Sequence, residues 1–541
     1  MFNAGFATAV MLIKTFKKCK SVLLLCRFSF SYQRISALLI GRFTQNTRSE
    51  RTQMADFKGM LQQSNLIGGA WCNADSGATL DVCNPANGIK LGTIPNCGAV
   101  ETERAIAAAS TAFTDWSSSD LNFRINLLHK LHDALMDNQN PLAHLLTAEQ
   151  GKPLAEAMGE IAIGAAYIRW FAEEVRRAKG EIIPAPFQDQ QLLVTRHPVG
   201  VVGAITPWNF PSSMLARKLG PALAAGCTIV AKPASATPYS GLAWGKLCQD
   251  VGFPSGVVNI VTGSARAIGA AVMASSEIRK VTFTGSTDVG KVLIGQSAET
   301  VKKLSMELGG NAPFIVFDDA DLDAAIEGAM IAKYRNMGQT CVCTNRFYVQ
   351  AGIHDRFVER LKRASEALVV GDGSINGVEQ GPLIDEAAVV KVEKMIADAV
   401  SKGALVVSGG SRHKIGGTFF EPTIISGATE KMQFATEEIF GPVSAIFKFE
   451  TEDEVIAAAN ATEFGLAAYA YTSLLGRIFR LNSKLQYGMI GINSGLITTV
   501  EAPFGGLKES GMGKEGGSQG LDDYMSVKYM CIAGLGASPS G

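Results

Sequence analysis

Two cysteines in the segment MGQTCVCTN (337–345) lie one residue apart, in a chain whose ten cysteines are otherwise widely spaced. A cysteine attacks a carbonyl as its thiolate, so it needs nearby N–H donors or positive charge and room for a substrate. Gly338, Gln339 and Thr340 give a compact polar approach to Cys341. Cys341 is therefore a candidate nucleophile, although the spacing to Cys343 alone is equally compatible with buried structural cysteines.

Two other segments supply the polar groups that such a nucleophile would need. Glu307 in SMELGGNAP follows an apolar run and precedes a Gly-Gly turn, where a carboxylate could act as a general base. Asn209 in ITPWNFP lies between prolines after a predicted strand, where its amide could donate to an oxyanion. Taken singly, each residue is also a common surface or turn residue.

Two glycine-rich segments resemble phosphate-binding loops. GMGKEG (511–516) follows a loop instead of a strand, which is the wrong setting for a dinucleotide fingerprint. GSTDVGKV (285–292) follows a strand and opens a helix, but Val292 stands where a hydroxyl should hold magnesium. The second segment therefore predicts an anion at a helix N-terminus, such as a pyrophosphate, and argues against ATP hydrolysis.

Composition limits the function classes. The chain has 541 residues, of which 47% are hydrophobic and 18% charged, and this predicts two or three domains. No basic face, clustered histidines or long apolar run is evident, so we predict no nucleic-acid partner, no metal and no membrane span. The residues after position 53 carry 41 basic and 49 acidic side chains, and this mildly acidic balance favours a small-molecule partner. The isolated cysteines indicate a reduced, intracellular protein.

The first 53 residues differ from the rest, with nine Lys or Arg residues and a single acidic residue, Glu50. This composition suits a mitochondrial transit peptide. It equally suits an upstream extension of a protein that starts at Met54. We therefore expect a mitochondrial-matrix or cytoplasmic protein, and exclude 1–53 from the fold.

The elements that must position these residues form an α/β pattern. After Val201, short apolar β-rich runs alternate with helical stretches, and the alternation restarts after Asn311. We predict an open parallel-sheet dinucleotide-binding domain (54–308), a second α/β catalytic domain (309–500) and a C-terminal segment (501–541). The last apolar run, DDYMSVKYMCIAG, is predicted to pair either with another subunit, as an oligomerisation strand, or within its own chain.

Seven segments in order resemble the aldehyde dehydrogenase superfamily, and the resemblance covers nearly all of the chain after about residue 66. They are TPWNFP, AKPASATP, VTFTGSTDVG, MELGGNAP, RNMGQTCVCTNR, EEIFGPV and PFGGLKESGMG. RNMGQTCVCTNR and the sequence around GLITTVEAPFGG are most similar to the succinate-semialdehyde branch. The resemblance implies that Cys341 attacks an aldehyde, that Asn209 and the Cys341 N–H hold the oxyanion, and that Glu307 activates water against the thioester.

The resemblance also implies the cofactor and substrate contacts. Ser235 stands where other members carry a glutamate that repels a 2′-phosphate, and Lys232 supplies positive charge, so NADP is favoured over NAD. Arg217 and Arg335 match the residues that bind the remote carboxylate, while Thr498 replaces the usual serine. The full cofactor set is Trp208, Lys232, Ser235, Gly263, Gly285, Ser286, Glu438 and Phe440.

Some alternatives stay open. A related dehydrogenase could prefer glutarate semialdehyde, and a thiol–disulfide redox protein could use the cysteine pair without nicotinamide. Within the enzyme hypothesis, a strained Cys341–Cys343 disulfide would form an easily reduced oxidation switch. A homo-oligomer, dimer or tetramer, is expected.

Overall fold

A computed structural model describes residues 57–535, and the predictions made for 1–53 lie outside that range. The strands, in chain order, are β1 (Asn65–Ile67), β2 (Ala70–Cys72), β3 (Thr79–Cys83), β4 (Lys90–Pro95), β5 (Glu181–Ile183), β6 (Gln191–Pro198), β7 (Val201–Ile205), β8 (Thr228–Lys232), β9 (Val258–Ile260), β10 (Ile278–Thr284), β11 (Lys303–Glu307), β12 (Ala312–Val316), β13 (Thr344–Gln350), β14 (Leu405–Ser408), β15 (Thr423–Ser426), β16 (Val443–Phe449), β17 (Ala467–Tyr471), β18 (Met489–Ile492), β19 (Gly511–Met512) and β20 (Met525–Ile532).

The α-helices, in chain order, are α1 (Ala99–Ser118), α2 (Leu121–Asp137), α3 (Gln139–Gln150), α4 (Leu154–Glu174), α5 (Ser213–Ala225), α6 (Pro238–Val251), α7 (Ala265–Ala274), α8 (Thr287–Ser297), α9 (Leu322–Tyr334), α10 (His354–Glu366), α11 (Glu386–Ser401), α12 (Glu452–Asn460), α13 (Leu475–Lys484) and α14 (Gly517–Asp522). Short 3-10 helices cover Val175–Arg177, Arg335–Gly338, Gln433–Ala435 and Lys508–Ser510.

The first sheet has the strand order β19-β11-β10-β7-β8-β9-β1-β2. Its five central strands are parallel, and α5, α6, α7 and α8 connect them in turn. The apolar runs of β7 and β8 are buried almost throughout, as expected for strands covered by helices on both faces. The open α/β sheet predicted from the alternation is thereby confirmed.

The second sheet has the strand order β14-β15-β16-β13-β12-β17-β18 and is parallel except for the β14–β15 pair. The chain passes from the first sheet to the second between Glu307, the last residue of β11, and Ala312, the first of β12. Carboxyl ends of parallel strands and the loops after them are where such sheets place ligands. The division into domains at 308 and 500 stays a prediction.

The third sheet, β20-β6-β5, is antiparallel and contains the C-terminal strand. β20 pairs with β6 along its whole length, from Met525 opposite Pro198 to Ile532 opposite Gln191. Of the two partners considered for this strand, the one in its own chain is therefore observed. Val527 and Tyr529 remain 66% and 59% exposed, so the sheet keeps an open face. No helix within 57–535 has both the length and the apolar character needed to cross a membrane.

Candidate active site

Cys341 lies in a tight turn that leads into β13. Asn336, Met337 and Gly338 have φ values of 51°, 56° and 73°, so three successive residues occupy the left-handed region. A side chain at Gly338 would come within 2.2 Å of the Gly441 carbonyl oxygen, which explains the glycine. Such backbone strain is common at functional sites and persists only where the surroundings hold it.

The thiol of Cys341 is partly buried and uncharged in this state. Burial, chiefly, and the Glu438 carboxylate raise its pKa to about 12, while Arg217 and Arg335 oppose the shift. A reactive thiolate therefore requires a base or a change in these charges before attack.

Two cavities meet at Cys341. One, of about 390 Å³, is also lined by six other residues that the sequence singled out: Trp208, Asn209, Gly285, Ser286, Glu438 and Phe440. The other, of about 280 Å³, is lined by the three predicted substrate residues Arg217, Arg335 and Thr498. We call them the nicotinamide-side cavity and the arginine-side cavity. A thiol at their junction can reach molecules bound in both.

Asn209 lies in the turn between β7 and α5 and is 3% exposed. Its side-chain nitrogen donates to the Gln339 carbonyl (3.0 Å), while its side-chain oxygen has no partner among the described residues. An amide nitrogen carries two N–H groups, so one donor remains for an oxyanion. Asn209 and Cys341 line the same cavity.

Glu307 is at the end of β11 but does not line either cavity. Both carboxylate oxygens are buried and have no hydrogen-bond partner in the described part of the chain, and Oε1 lies where a side chain on Gly505 would stand. Burial, then the Glu515 carboxylate, raises the pKa of Glu307 well above its usual range. The ionised form of Glu307 is therefore disfavoured in this arrangement.

A buried ion pair that the sequence reasoning missed lies beside Glu307. Lys218 Nζ is 2.6 Å from Glu515 Oε1 and also donates to the hydroxyls of Thr282 and Thr284. Glu515 belongs to GMGKEG, the segment discounted as a dinucleotide fingerprint. The only sequence signal for Glu515 was an acidic residue near the end of this glycine-rich loop.

The aromatic and acidic members of the nicotinamide-side cavity form one wall. The rings of Trp208 and Phe440 meet edge to face, with centroids 5.6 Å apart. Glu438 accepts the Gly310 N–H (3.0 Å), and burial raises the pKa of this carboxyl to about 7. Ser286 is the N-cap of α8, and its hydroxyl makes no capping bond to the first turn of this helix.

Lys391, which the sequence reasoning did not single out, also lines this cavity, together with Asp385 and Ala388 at the start of α11. The segment 384–391 contains no motif that distinguishes it from an ordinary amphipathic helix, so the sequence gives no signal for Lys391.

Lys232, Ser235 and Gly263 are not in the cavity lining but form a chain of their own. Lys232 Nζ donates to Ser235 Oγ (3.4 Å), which donates to the Gly263 carbonyl (3.3 Å). Lys232 makes no ion pair within the described residues, and burial lowers its pKa to about 8. Gly263 has φ 135°, and a side chain there would come within 2.2 Å of the Cys97 nitrogen.

The arginine-side cavity presents guanidinium N–H groups that have no hydrogen-bond acceptor among the described residues. Arg217 is 4% exposed, packs over the Phe504 ring at 4.1 Å and places Nη1 3.9 Å from Glu515 Oε2, yet neither its Nε nor its Nη1 makes a hydrogen bond there. Arg335 packs near the Phe210 ring at 5.5 Å, and its Nε also lacks an acceptor within 57–535. Unpaired buried donors of this kind suit an anionic ligand.

Acidic residues also line this second cavity. Glu156 and Glu160, both on α4, belong to its wall. Sequence reasoning did not identify them, since both sit in an ordinary helical pattern.

Cys343 faces away from solvent and is 7% exposed. Its thiol donates to the carbonyls of Lys333 (3.5 Å) and Thr344 (3.4 Å), and its N–H closes the turn to Thr340 (2.9 Å). Cys341 and Cys343 are both free thiols. A disulfide between them would require the Cys343 thiol to leave these carbonyls.

Comparison with known proteins gives a single family. The model of the aldehyde dehydrogenase family matches residues 71–530. The chain is 54% identical to a 3-sulfolactaldehyde dehydrogenase of Pseudomonas putida, over 88% of this chain and 98% of that protein. It is equally 54% identical to a glutarate-semialdehyde dehydrogenase of Pseudomonas aeruginosa (89% and 100%) and to an NADP-dependent succinate-semialdehyde dehydrogenase of Escherichia coli (87% and 98%).

A solved structure extends the match to three dimensions. The crystal structure of succinate-semialdehyde dehydrogenase from Burkholderia pseudomallei superposes with a TM-score of 0.87 at 53% identity, covering 88% of this chain and 98% of that one.

Proposed function

Because the chain belongs to the aldehyde dehydrogenase family, we propose that it oxidises succinate semialdehyde to succinate with NADP as the electron acceptor. The observation that carries the proposal is the position of Cys341 at the junction of two cavities, one lined by Ser286 and Glu438 and the other by Arg217 and Arg335. A thiol there can hold an aldehyde between a dinucleotide and an anion-binding pocket.

Cys341 is assigned the nucleophilic attack on the aldehyde carbon. The two arginines that already oppose the rise in its pKa would favour the thiolate as the site fills. The oxygen of the resulting thiohemiacetal would be held by the free N–H of Asn209 and by the backbone N–H of Cys341. Donors placed in advance at such an oxygen stabilise the charge that develops there.

A bound NADP would supply the acceptor for the hydride of the thiohemiacetal carbon, and Cys341 would then carry a thioester. The described residues fit this cofactor. The buried ammonium of Lys232 donates to the Pro233 carbonyl and to Ser235 Oγ but has no carboxylate partner among the described residues, so it offers a partner to a 2′-phosphate. The Ser235 hydroxyl beside it adds a neutral donor. Ser286 at the N-terminus of α8 suits the pyrophosphate, and Glu438 with the Trp208–Phe440 wall suits the nicotinamide end.

Glu307 is assigned the activation of water for thioester hydrolysis. Burial and the neighbouring Glu515 carboxylate raise the pKa of Glu307, so they disfavour the ionised form that this step needs. Its place outside both cavities requires the side chain to turn toward Cys341 for this step. Such movement is compatible with carboxylate oxygens that have no fixed partner.

The substrate assignment rests on Arg217, Arg335 and Thr498. A guanidinium binds a carboxylate with two parallel hydrogen bonds, which gives direction as well as charge. The relatives named for glutarate semialdehyde and 3-sulfolactaldehyde are as similar to this chain as the one named for succinate semialdehyde. Glutarate semialdehyde, which carries the same remote carboxylate on a chain one methylene group longer, is therefore the second candidate.

The test is the absorbance of reduced nicotinamide with each aldehyde, using NAD and NADP in parallel. Succinate semialdehyde with NADP is expected to give the highest kcat/KM. A higher value for glutarate semialdehyde or 3-sulfolactaldehyde would move the assignment to that substrate. Equal values for uncharged butanal would contradict the role of the arginines, and thiol–disulfide exchange without nicotinamide would favour the redox-protein alternative.

Three further proposals complete the assignment. The two large sheets correspond to cofactor-binding and catalytic domains. The exposed face of the third sheet, with Val527 and Tyr529, supports a homo-oligomer. The free thiols of Cys341 and Cys343 support a peroxide-sensitive switch, in which both thiols lose their hydrogens to peroxide, a disulfide forms and two waters are released.

A further inference from the structure

The backbone carbonyl of Asn209 accepts two buried hydrogen bonds from distant side chains. Lys152 Nζ donates to it at 2.8 Å, and Asn336 Nδ2 donates at 3.0 Å. Lys152 and Asn336 are both 0% exposed. The peptide group that carries the Asn209 side chain is therefore held from two sides, without any contribution from regular secondary structure.

Lys152 is itself fixed at its charged end. Its ammonium is 2.5 Å from Glu160 Oε2 and lies 3.8 Å from the centroid of the Phe210 ring. The other oxygen of Glu160 accepts the N–H groups of Ser212 and Ser213, where α5 begins. The position of the ammonium is thus set by α4 and by the N-terminus of α5, so it cannot follow the Asn209 carbonyl if that carbonyl shifts.

Asn336 connects the same peptide to the turn before the nucleophile. Its Nδ2 also donates to the Gln339 carbonyl (3.2 Å), which accepts the Asn209 side-chain amide at 3.0 Å. Its Oδ1 accepts Gln150 Nε2 (3.0 Å), two residues before Lys152. Asn209 and the turn that ends at Cys341 are therefore held by one network of buried hydrogen bonds.

Stability alone is a poor explanation for the charged part of this network. Burying an ammonium and a carboxylate removes both from water, and apolar side chains of similar volume often serve a core as well or better. A charge that donates to a specific carbonyl does what an apolar residue cannot, because it fixes the direction of that carbonyl. In this chain the carbonyl belongs to the residue assigned to the oxyanion.

We propose that Lys152 is a positioning residue for the oxyanion step: anchored by Glu160, its ammonium holds the Asn209 carbonyl so that the side-chain N–H points at the oxygen formed on addition of Cys341. The inference rests on the proposed role of Asn209. No contact of Lys152 with substrate or cofactor is implied. Loss of the contact leaves the donor present but misdirected.

The consequence is specific to one part of the reaction. Formation of the thiohemiacetal and departure of the hydride should slow, since both depend on the negative oxygen. Binding of NADP should not change, because Lys152 lies on the arginine side of Asn209, with its partner Glu160 in the wall of that cavity. KM for the aldehyde should change little, since the two guanidinium groups remain.

The test is a double-mutant cycle on the rate of first-turnover NADPH formation in the full-length enzyme. Asn209→Ala is expected to lower that rate about 100-fold, the usual loss for one oxyanion donor. Lys152→Met is expected to lower it about 10-fold, and the double variant about 100-fold, because residues that act through one another are not additive.

A charge-balanced pair of substitutions guards against misfolding. If the carboxylate of Glu160, left without its cation, prevents Lys152→Met from folding, Lys152→Met/Glu160→Gln replaces it in the cycle.

Glu149→Gln is the matched control, since Glu149 caps α6 through the N–H groups of Tyr239 and Ser240 much as Glu160 caps α5 but does not touch Asn209. It should lower the melting temperature without changing the first-turnover rate.

The outcomes separate the inference from the function on which it rests. An unchanged rate for Asn209→Ala contradicts the oxyanion assignment itself. If Asn209→Ala loses the first-turnover rate as expected, the oxyanion assignment stands. If the double variant then loses about 1000-fold, the product of the two single losses, the two residues act independently and the positioning role is overturned. A folded Lys152→Met enzyme with the parent rate overturns it as well.

Discussion

Replacing Ser235 by glutamate should reverse the cofactor preference. Ser235 Oγ lies 3.4 Å from Lys232 Nζ, so a carboxylate at this position would stand close to the buried ammonium and to any phosphate that the ammonium binds. It would neutralise the cation and repel the 2′-phosphate, and it could accept hydrogen bonds from the ribose hydroxyls of NAD.

The size of the effect follows from the distance. Two unit charges about 4 Å apart interact by about 4 kcal/mol at an effective dielectric constant of about 20. Ser235 is partly exposed, so solvent screening reduces this to about 2 kcal/mol, which corresponds to about 30-fold in affinity. Lys232 adds a pH signature: its pKa is lowered to about 8, so the ammonium is lost as the pH rises past 8, and NADP should lose its advantage there.

The assay is kcat/KM for NADP and for NAD at saturating aldehyde, measured from pH 7 to 9. Ser235→Glu should lower the NADP to NAD ratio by at least about 30-fold, and the parent ratio should fall as the pH rises. Ser235→Ala is the control, because it removes the hydroxyl without adding charge. A ratio unchanged in Ser235→Glu would refute the reasoning, and an equal fall in Ser235→Ala would show that a hydrogen bond, not charge, sets the preference.

Three further predictions concern the reaction and its control. Arg335→Met should raise KM for succinate semialdehyde about 10- to 100-fold, the value of a hydrogen bond to a charged group, and leave butanal oxidation unchanged; a matching rise for butanal would contradict a carboxylate contact. Because the pKa of Glu307 is raised and its carboxylate must be ionised to act, kcat should increase with pH above the usual titration range of a glutamate; a flat profile in the parent, or the same rise in Glu307→Gln, would remove it as the base. Cys343→Ala should lose activity to peroxide without recovery in dithiothreitol, while the parent recovers; identical recovery in both would refute the switch.

The sheet architecture could be predicted because buried parallel strands and covering helices leave a local pattern. The runs that form β7, β8 and β10 are apolar and β-rich, and each is followed by a helical stretch. The partner of β20 could not be predicted, since its pairing with β6 joins residues more than 300 positions apart and either strand alone could equally form an intermolecular edge.

The same reasoning separates the candidate site into two groups. Residues in distinctive segments, such as Cys341 and Asn209, could be named from the sequence, and the structure places them at one cavity. Lys218 and Glu515 could not be paired, because their contact spans 297 residues and the glycine-rich loop that contains Glu515 does not indicate which cation it meets. Lys152 could not be identified from the sequence for the same reason, because its proposed role depends on a hydrogen bond to the Asn209 carbonyl that forms only in the folded chain.

The most direct test of the account is the mass of the peptide that contains Cys341, after Glu307→Gln enzyme is mixed with succinate semialdehyde and NADP and quenched in acid. We expect one NADPH per site in a rapid first turnover and a succinyl group on Cys341, because hydride departure is intact while water activation is lost. Stoichiometric NADPH without acylation of Cys341, or acylation of another residue, would contradict the central claim.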